Sequence, residues 1–407
     1  MTDDVAALVL RDNVFQTQWL SVGNRIAPQL LDANQRFIHF LEKSGKLNRE
    51  LEFLPADEVL AERRARGIGL TSPEQAVVLA YSKIWLYDEL LASSLPDDPW
   101  VATALSRYFP HALRERYAAW MLRHPLKRDI IATYVTNSMV NRVGSTFVYR
   151  MLEGTGAKPA EIVRAYLLNR EIFGFVDLWM AIEALDNKVD DAVQSALLID
   201  TRRLIMRGTS WFLRSRRLAD DMATTIADFT PKVAALATRL PKLLDAGEHA
   251  RIDAAAAKFA AQGVPQALAT RVVSFDTLYS ALDIIEIAAT AKRPPETVAE
   301  LYFALAARLG LPWLREKMAA LPGDAHWQML AKEAMQDDLS GVQRTIAAEV
   351  LSASPDMAAP EALLAAWHDR NRRGVERATQ LLTELRGAGI VDAAMLSVAL
   401  RELRGLA

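Results

Sequence analysis

Alanine (66) and leucine (55) together occupy 121 of the chain's 407 positions. Both residues lose little side-chain freedom in a helix, which places them high in helix propensity. Alternating apolar and polar runs bounded by hairpin turns are hard to find. The 18 glycines and 17 prolines fall mostly between periodic segments rather than inside them. The sequence therefore predicts an all-α chain: a multi-helix, mostly antiparallel bundle region with no parallel sheet. No fixed-period repeat points to a solenoid.

The clearest helix is expected over residues 72–91. Ser72 is placed to cap it, Pro73 takes the favoured first position and Gln75 completes a capping-box spacing. Val77, Ala80, Ile84, Tyr87 and Leu91 follow helical spacing and predict the buried stripe, with Gln75, Ser82 and Glu89 on a more polar side. A second long helix is expected from Pro125 to Glu153, stopping at Gly154. Its apolar row is Ile131, Val135, Met139, Val143, Phe147 and Met151. Further helices are read from Pro159, over 189–213, over 274–291, and from Pro294-Pro295-Glu296 to near Gly310. The region after 325 reads as two or three long Ala- and Leu-rich helices. Residues 45–69 read as a connector with one short helix.

Charge and motif content exclude most familiar chemistry. Basic and acidic residues nearly balance (48 against 50, net -2), which argues against a nucleic-acid binder. No cysteine is present, so disulfides, thiolate zinc sites and cysteine nucleophiles are all excluded. No apolar run approaches the ~18 residues of a membrane span, and the start Met1-Thr2-Asp3-Asp4 is acidic where a secretory signal is positive. The expectation is a soluble, cytoplasmic protein with no membrane partner. Gly67-Ile68-Gly69 and Gly154-Thr155-Gly156 each lack the third glycine of a dinucleotide fingerprint, with Ser72 and Pro159 in its place. None of the six histidines follows a glutamate by three residues, and neither His-Glu-x-x-His nor Gly-x-Ser-x-Gly occurs. No metal site, cofactor-binding residue or catalytic residue is assigned.

Three features remain, each with two readings. Thr133, Asn137, Asn141 and Ser145 recur every four residues, with Arg142 beside them. They would orient a ligand, or else form a hydrogen-bonded seam between packed helices. Arg202, Arg203, Arg207, Arg214, Arg216 and Arg217 form a basic cluster downstream of Glu183, Asp186, Asp190 and Asp191. They suit an anion or subunit contact, or a solvated face with local ion pairs. Lys83 is the one lysine in an otherwise apolar and aromatic helix. It would act as a buried base or Schiff-base amine, or lay its stem along the apolar edge.

Several blocks carry a family resemblance. They are Leu70-Thr71-Ser72-Pro73-Glu74-Gln75-Ala76-Val77-Val78-Leu79-Ala80-Tyr81-Ser82-Lys83, Asp88-Glu89-Leu90-Leu91, Leu95-Pro96-Asp97-Asp98 and Tyr108-Phe109-Pro110. Arg128-Asp129-Ile130-Ile131-Ala132-Thr133, Val140-Asn141-Arg142, Ser145-Thr146-Phe147-Val148 and Glu183-Ala184-Leu185-Asp186-Asn187-Lys188-Val189 continue the series. Together with Thr2-Asp3-Asp4-Val5-Ala6 and Leu8-Val9-Leu10-Arg11-Asp12-Asn13, they resemble the C-terminal region of the large bacterial NAD-specific glutamate dehydrogenases. The resemblance is dense over 1–217 and looser beyond.

The resemblance implies that the intact polypeptide deaminates L-glutamate to 2-oxoglutarate with NAD. It also implies that the catalytic and nucleotide-binding domains lie upstream, that this segment binds no NAD itself, and that the whole is a homo-oligomer. On this reading 1–70 holds the helices and connector leaving the dehydrogenase domain, 71–217 a helical core, and 218–407 a C-terminal bundle. The helix over residues 3–20 would lie against that domain. The rival expectations are an independent all-helical interaction scaffold and a self-contained enzyme with a pocket inside the bundle.

Overall fold

The computed structural model describes residues 2–323, 326–353 and 359–406, and of Arg216 and His326 the backbone alone. Among the described residues there is no strand, and the chain is all-α as its composition requires. It divides into two compact units, 1–227 and 228–407. No helix among the described residues is long and apolar enough to cross a membrane.

The first unit begins with α1 (Thr2–Arg25), α2 (Ala27–Lys43), α3 (Asp57–Ala65) and α4 (Ser72–Leu91). Short helical turns lead to α5 (Lys127–Val143), α6 (Phe147–Thr155), α7 (Pro159–Ile172), α8 (Phe175–Glu183) and α9 (Asp191–Arg214). The centre of this unit is α7, which packs along α9 and also touches α4, α6 and α8. Its Ile162, Val163, Ala165, Tyr166 and Leu168 are fully buried. An aromatic cluster ties α2 to α4 and α6: Phe37 and Phe40 each lie 5.2–5.5 Å, ring centre to ring centre, from Trp85 and Tyr149. Offset and edge-on aromatic contacts of this kind add to the area they bury.

Two local expectations need correction. The buried stripe of α4 is Gln75, Val78, Leu79, Ser82, Trp85, Leu86 and Leu90, whereas Ile84 is exposed and Ala80 faces solvent. Apolar residues occur on both sides of this helix, so periodicity alone does not select a face. Gln75 and Ser82 go inside because their polar atoms find partners there: Gln75 Nε2 donates to Asn24 Oδ1 at 2.8 Å and to the Leu70 carbonyl at 2.9 Å. The cap also lies one residue earlier than expected. Thr71 occupies it, its N–H donates to Glu74 Oε2 at 2.7 Å, and Ser72 is already helical.

The second correction concerns the long helix expected from Pro125 to Glu153. Its apolar row is buried throughout, from Ile131 to Met151. The backbone nevertheless breaks at Gly144, whose φ of +93° ends α5 and lets α6 start at Phe147. Only glycine adopts such a conformation without penalty. A Cβ there would also sit 1.9 Å from Cζ2 of Trp19 on α1.

The second unit contains most of α10 (Met222–Leu243), then α11 (Ala246–Ala260), α12 (Gln266–Val273), α13 (Ala281–Ala291), α14 (Pro295–Arg308), α15 (Leu311–Ala320) and α16 (His326–Ser352). The last helices are α17 (Pro360–Arg370), α18 (Arg372–Gly387) and α19 (Ala393–Arg404). Here α14 is central, packing on α13, α15, α16 and α17. Its buried Tyr302 donates to the Asp283 carboxylate at 3.4 Å, and Arg344 pairs with the same carboxylate at 3.1 Å. Burial, reinforced by Asp283, pushes the Tyr302 hydroxyl well above the usual phenol range.

The break at residue 144 yields a direct test. Gly144→Ala forces a left-handed alanine and a Cβ into the Trp19 ring, so it should lower stability by about 2–4 kcal/mol in urea unfolding.

Candidate functional site

Residues singled out for three separate reasons meet on one helix. Asp12, Phe15, Gln16 and Trp19 lie at i, i+3, i+4 and i+7 of α1, so they share a face. That face is received by α4, α5 and α9.

At the middle of this seam stands Arg142. Its guanidinium carbon lies 3.8 Å from the centre of the Phe15 ring and 4.9 Å from that of Trp179 on α8. Nη1 donates to Gln18 Oε1 at 3.2 Å and forms an ion pair with Glu183. The side chain is 9% exposed. A desolvated guanidinium gains from aromatic faces and needs a counter-charge, and both are supplied. The neighbouring Asn141 donates through Nδ2 to the Asp12 carbonyl at 3.5 Å, while its Oδ1 is buried with no hydrogen-bond partner.

Lys83 reaches the same helix from α4. Its Nζ donates to Gln16 Oε1 at 2.8 Å. Burial, opposed by the Asp12 charge, lowers its pKa to about 8. Its geometry is that of a half-buried hydrogen-bond donor beside the Asp12 carboxylate. Arg202 on α9 completes the set: Nε donates to the Val143 carbonyl at 3.1 Å, and its guanidinium lies 5.3 Å from the Trp19 ring. A cation at the last carbonyls of a helix satisfies groups that lack an intrahelical donor. At the far end of α1, Arg25 pairs with Asp191 in the first turn of α9. This places each charge where the helix dipole favours it.

The remaining sequence candidates lie apart from this set. Thr133 and Asn137 are half-buried on α5 and give no hydrogen bond to α1, and Ser145 is buried beyond the helix break. The basic cluster is dispersed. Arg202 is buried, Arg203 is exposed and pairs with Asp200 at 3.3 Å, and Arg207 is half-buried. Arg214 is exposed, Arg217 pairs with Asp220 at 3.4 Å, and the Arg216 side chain falls outside the described residues. Among the described residues no group of three or more His, Asp or Glu is placed to hold a metal ion. Sequence reasoning missed Phe15, Gln16, Gln18, Trp19 and Trp179. The Phe15–Trp19 spacing of four was the available signal.

A helix gripped by cations, rings and amides in this way rests in a docking seam. The family description "Glutamate dehydrogenase, C-terminal" matches residues 67–405. The chain belongs to this family. It is 41% identical over 407 residues to the NAD-specific glutamate dehydrogenase of Pseudomonas aeruginosa. It is 39% identical over 409 residues to that of Halomonas elongata and 39% over 404 residues to that of Mycobacterium tuberculosis. Each match covers 99–100% of this chain but only 25% of the relative. The chain therefore spans a quarter of the length of these glutamate dehydrogenases, as their C-terminal portion.

Two outcomes follow from the seam. Arg142→Ala leaves Glu183 without its cation and opens a gap between two rings, and should cost about 3 kcal/mol. Arg142→Lys should restore less than half of that, because an ammonium lacks the flat, forked guanidinium. Both changes are read by urea unfolding. For Lys83, the unfolded chain keeps its proton up to about pH 10.5, whereas the folded chain releases it near 8. Between these values the unfolded state binds more protons, so Lys83 makes stability rise with pH. Below pH 8 its contribution is constant and unfavourable. Comparing Lys83→Met with the unaltered chain over this window should show that rise missing from the variant.

Proposed function

We propose that this chain is the C-terminal helical part of a large NAD-dependent glutamate dehydrogenase and that its own role is structural. In the intact polypeptide, which converts L-glutamate, NAD and water to 2-oxoglutarate, ammonia and NADH, it packs on the upstream dehydrogenase body, supports assembly of the homo-oligomer and carries regulation to it. Glutamate and NAD are bound by that upstream body, and this segment holds neither. The relatives' names and the quarter-length match support this assignment.

The observation that carries the structural role is the two-sidedness of α1. Its inner face is clamped by Lys83, Arg142 and Arg202, while its opposite face presents Leu10 and Val14, 64% and 50% exposed. Leu10 and Val14, four residues apart, fall on the half of the helix opposite Phe15 and Trp19, whereas the exposed Val5 and Val9 lie on the seam's own side, before it begins. An apolar strip of this kind on a firmly seated helix is the surface a neighbouring body covers. Two-sided docking would fix the helical region to whatever rests on that strip.

In the intact enzyme, Leu10→Asp together with Val14→Asp would place carboxylates in a dry contact. The pair should disrupt native assembly and lower glutamate-dependent NADH formation at least about tenfold, equivalent to ~1.4 kcal/mol. The unfolding midpoint of the 407-residue chain on its own should stay unchanged, since both side chains are exposed in it. Unaltered assembly and activity in the double variant would refute the role assigned to α1.

A further inference from the structure

Between α4 and α5 the chain passes through the helical turns Val101–Thr103 and Ala104–Tyr108. Together with α5 and α7 these turns enclose a small cavity. Val101, Val135 and Leu167 give it an apolar wall, and Arg107, Tyr134 and Arg170 bring polar groups to it. The centre of a water-sized sphere has about 10 Å³ to move in, which is room for one water or the head of one small ion.

The charge on this lining is one-sided. Two guanidiniums line the cavity and no carboxylate does. Arg170 is 7% exposed, and its Nε donates to Glu171 Oε1 at 2.8 Å and its Nη1 to Ser138 Oγ at 3.3 Å. Arg107 is exposed, and its guanidinium makes neither an ion pair nor a hydrogen bond among the described residues. The acids just before it in sequence are already engaged, Asp97 with Arg128 and Asp98 with Arg164. Two cations set against Glu171 therefore leave one positive charge over. The half-buried Tyr134 hydroxyl, which makes no hydrogen bond among the described residues, is a further donor.

The surface beside the cavity has the same sign. The turns His111–Arg114 and Ala118–Met121 pack on Ala104–Tyr108. Residues 107–127 carry Arg107, Arg114, Arg116, Arg123 and Lys127 against Glu115 alone, in a chain whose net charge is -2. A local field of this sign draws small anions toward the opening.

We propose that the cavity binds the carboxylate of a short monocarboxylic acid, held by Arg107, Arg170 and the Tyr134 hydroxyl, with the acid's first carbons against Val101, Val135 and Leu167. Guanidinium N–H groups match the two oxygens of a carboxylate, and its single negative charge closes the one left over. A phosphate, at about -1.5 to -2 near neutral pH, would overshoot that charge. A halide would bring no carbon to the apolar wall, and a water would leave the cation uncompensated. The role proposed for α1 involves none of these residues, so failure of either reading leaves the other standing.

The test is ligand-observed NMR of sodium propionate with the 407-residue chain at fixed ionic strength. Saturation should pass from the protein to the propionate methyl, with a dissociation constant on the order of millimolar. Arg107→Gln should weaken binding at least about tenfold and leave the unfolding midpoint in place, because this guanidinium holds no protein group. Tyr134→Phe should weaken it about threefold. Arg116→Gln, in the same positive stretch but outside the lining, should change it by less than about twofold. Absence of saturation transfer, chloride displacing propionate at equal concentration, inorganic phosphate binding more tightly, or Arg107→Gln binding propionate as before would each overturn the proposal.

Discussion

The α1 seam of the first unit is organised around one nearly buried guanidinium. Arg142 sits at the last turn of α5, against rings from α1 and α8, and its charge is met by Glu183 at the end of α8. Three helices thus share a single guanidinium. A contact of this type is worth up to ~2 kcal/mol when dry, but its larger effect is specificity. Gln18 and Glu183 lie where they do because a fork of N–H donors awaits them, and an apolar replacement would satisfy neither. The second unit solves the reverse problem. There the buried group is an anion, Asp283, and its cation Arg344 comes from the surface with its head 47% exposed. Tyr302 donates from within, and Gln343 fills the Tyr302 carbonyl at 2.8 Å.

The fold class is written in composition and period. A chain so rich in alanine and leucine, with glycine and proline at segment ends, has few options besides helices. The buried row of α5 and α6 is likewise legible, because every fourth residue from Ile131 to Met151 is apolar and the intervening positions are more polar. The same logic fails on α4, where Val77 and Ile84 compete with Val78, Trp85 and Leu86 for the core. What decides is Gln75, one of whose amide partners, Asn24, lies 51 positions away. The break at Gly144 is hidden for a related reason: the apolar spacing of four runs through it uninterrupted, and only Trp19 explains why no side chain is allowed there.

The docking seam was partly legible. Lys83, Asn141, Arg142 and Arg202 stand out by residue type against their helices, but nothing local says that they meet. Their partners on α1 are 67 residues away for Lys83 and 124 for Arg142. The arginines after 201 look like one patch in the sequence, yet successive helix positions turn by about 100°. Arg202 is therefore carried inward and Arg203 outward. The two polar residues expected to continue the row at 133 and 137 stay half-buried away from α1, because α1 crosses α5 near its C-terminal end.

Trp19 and Gly144 together act as a detent. The indole occupies the notch left by the absent Cβ, so α1 cannot advance by even one residue, 1.5 Å along its axis, without driving a ring into backbone. The ion pair between Arg25 and Asp191 links its other end to α9. A thrust applied along α1 is consequently not absorbed by sliding. A displacement of α1 along its axis would have to carry the junction of α5 and α6 with it.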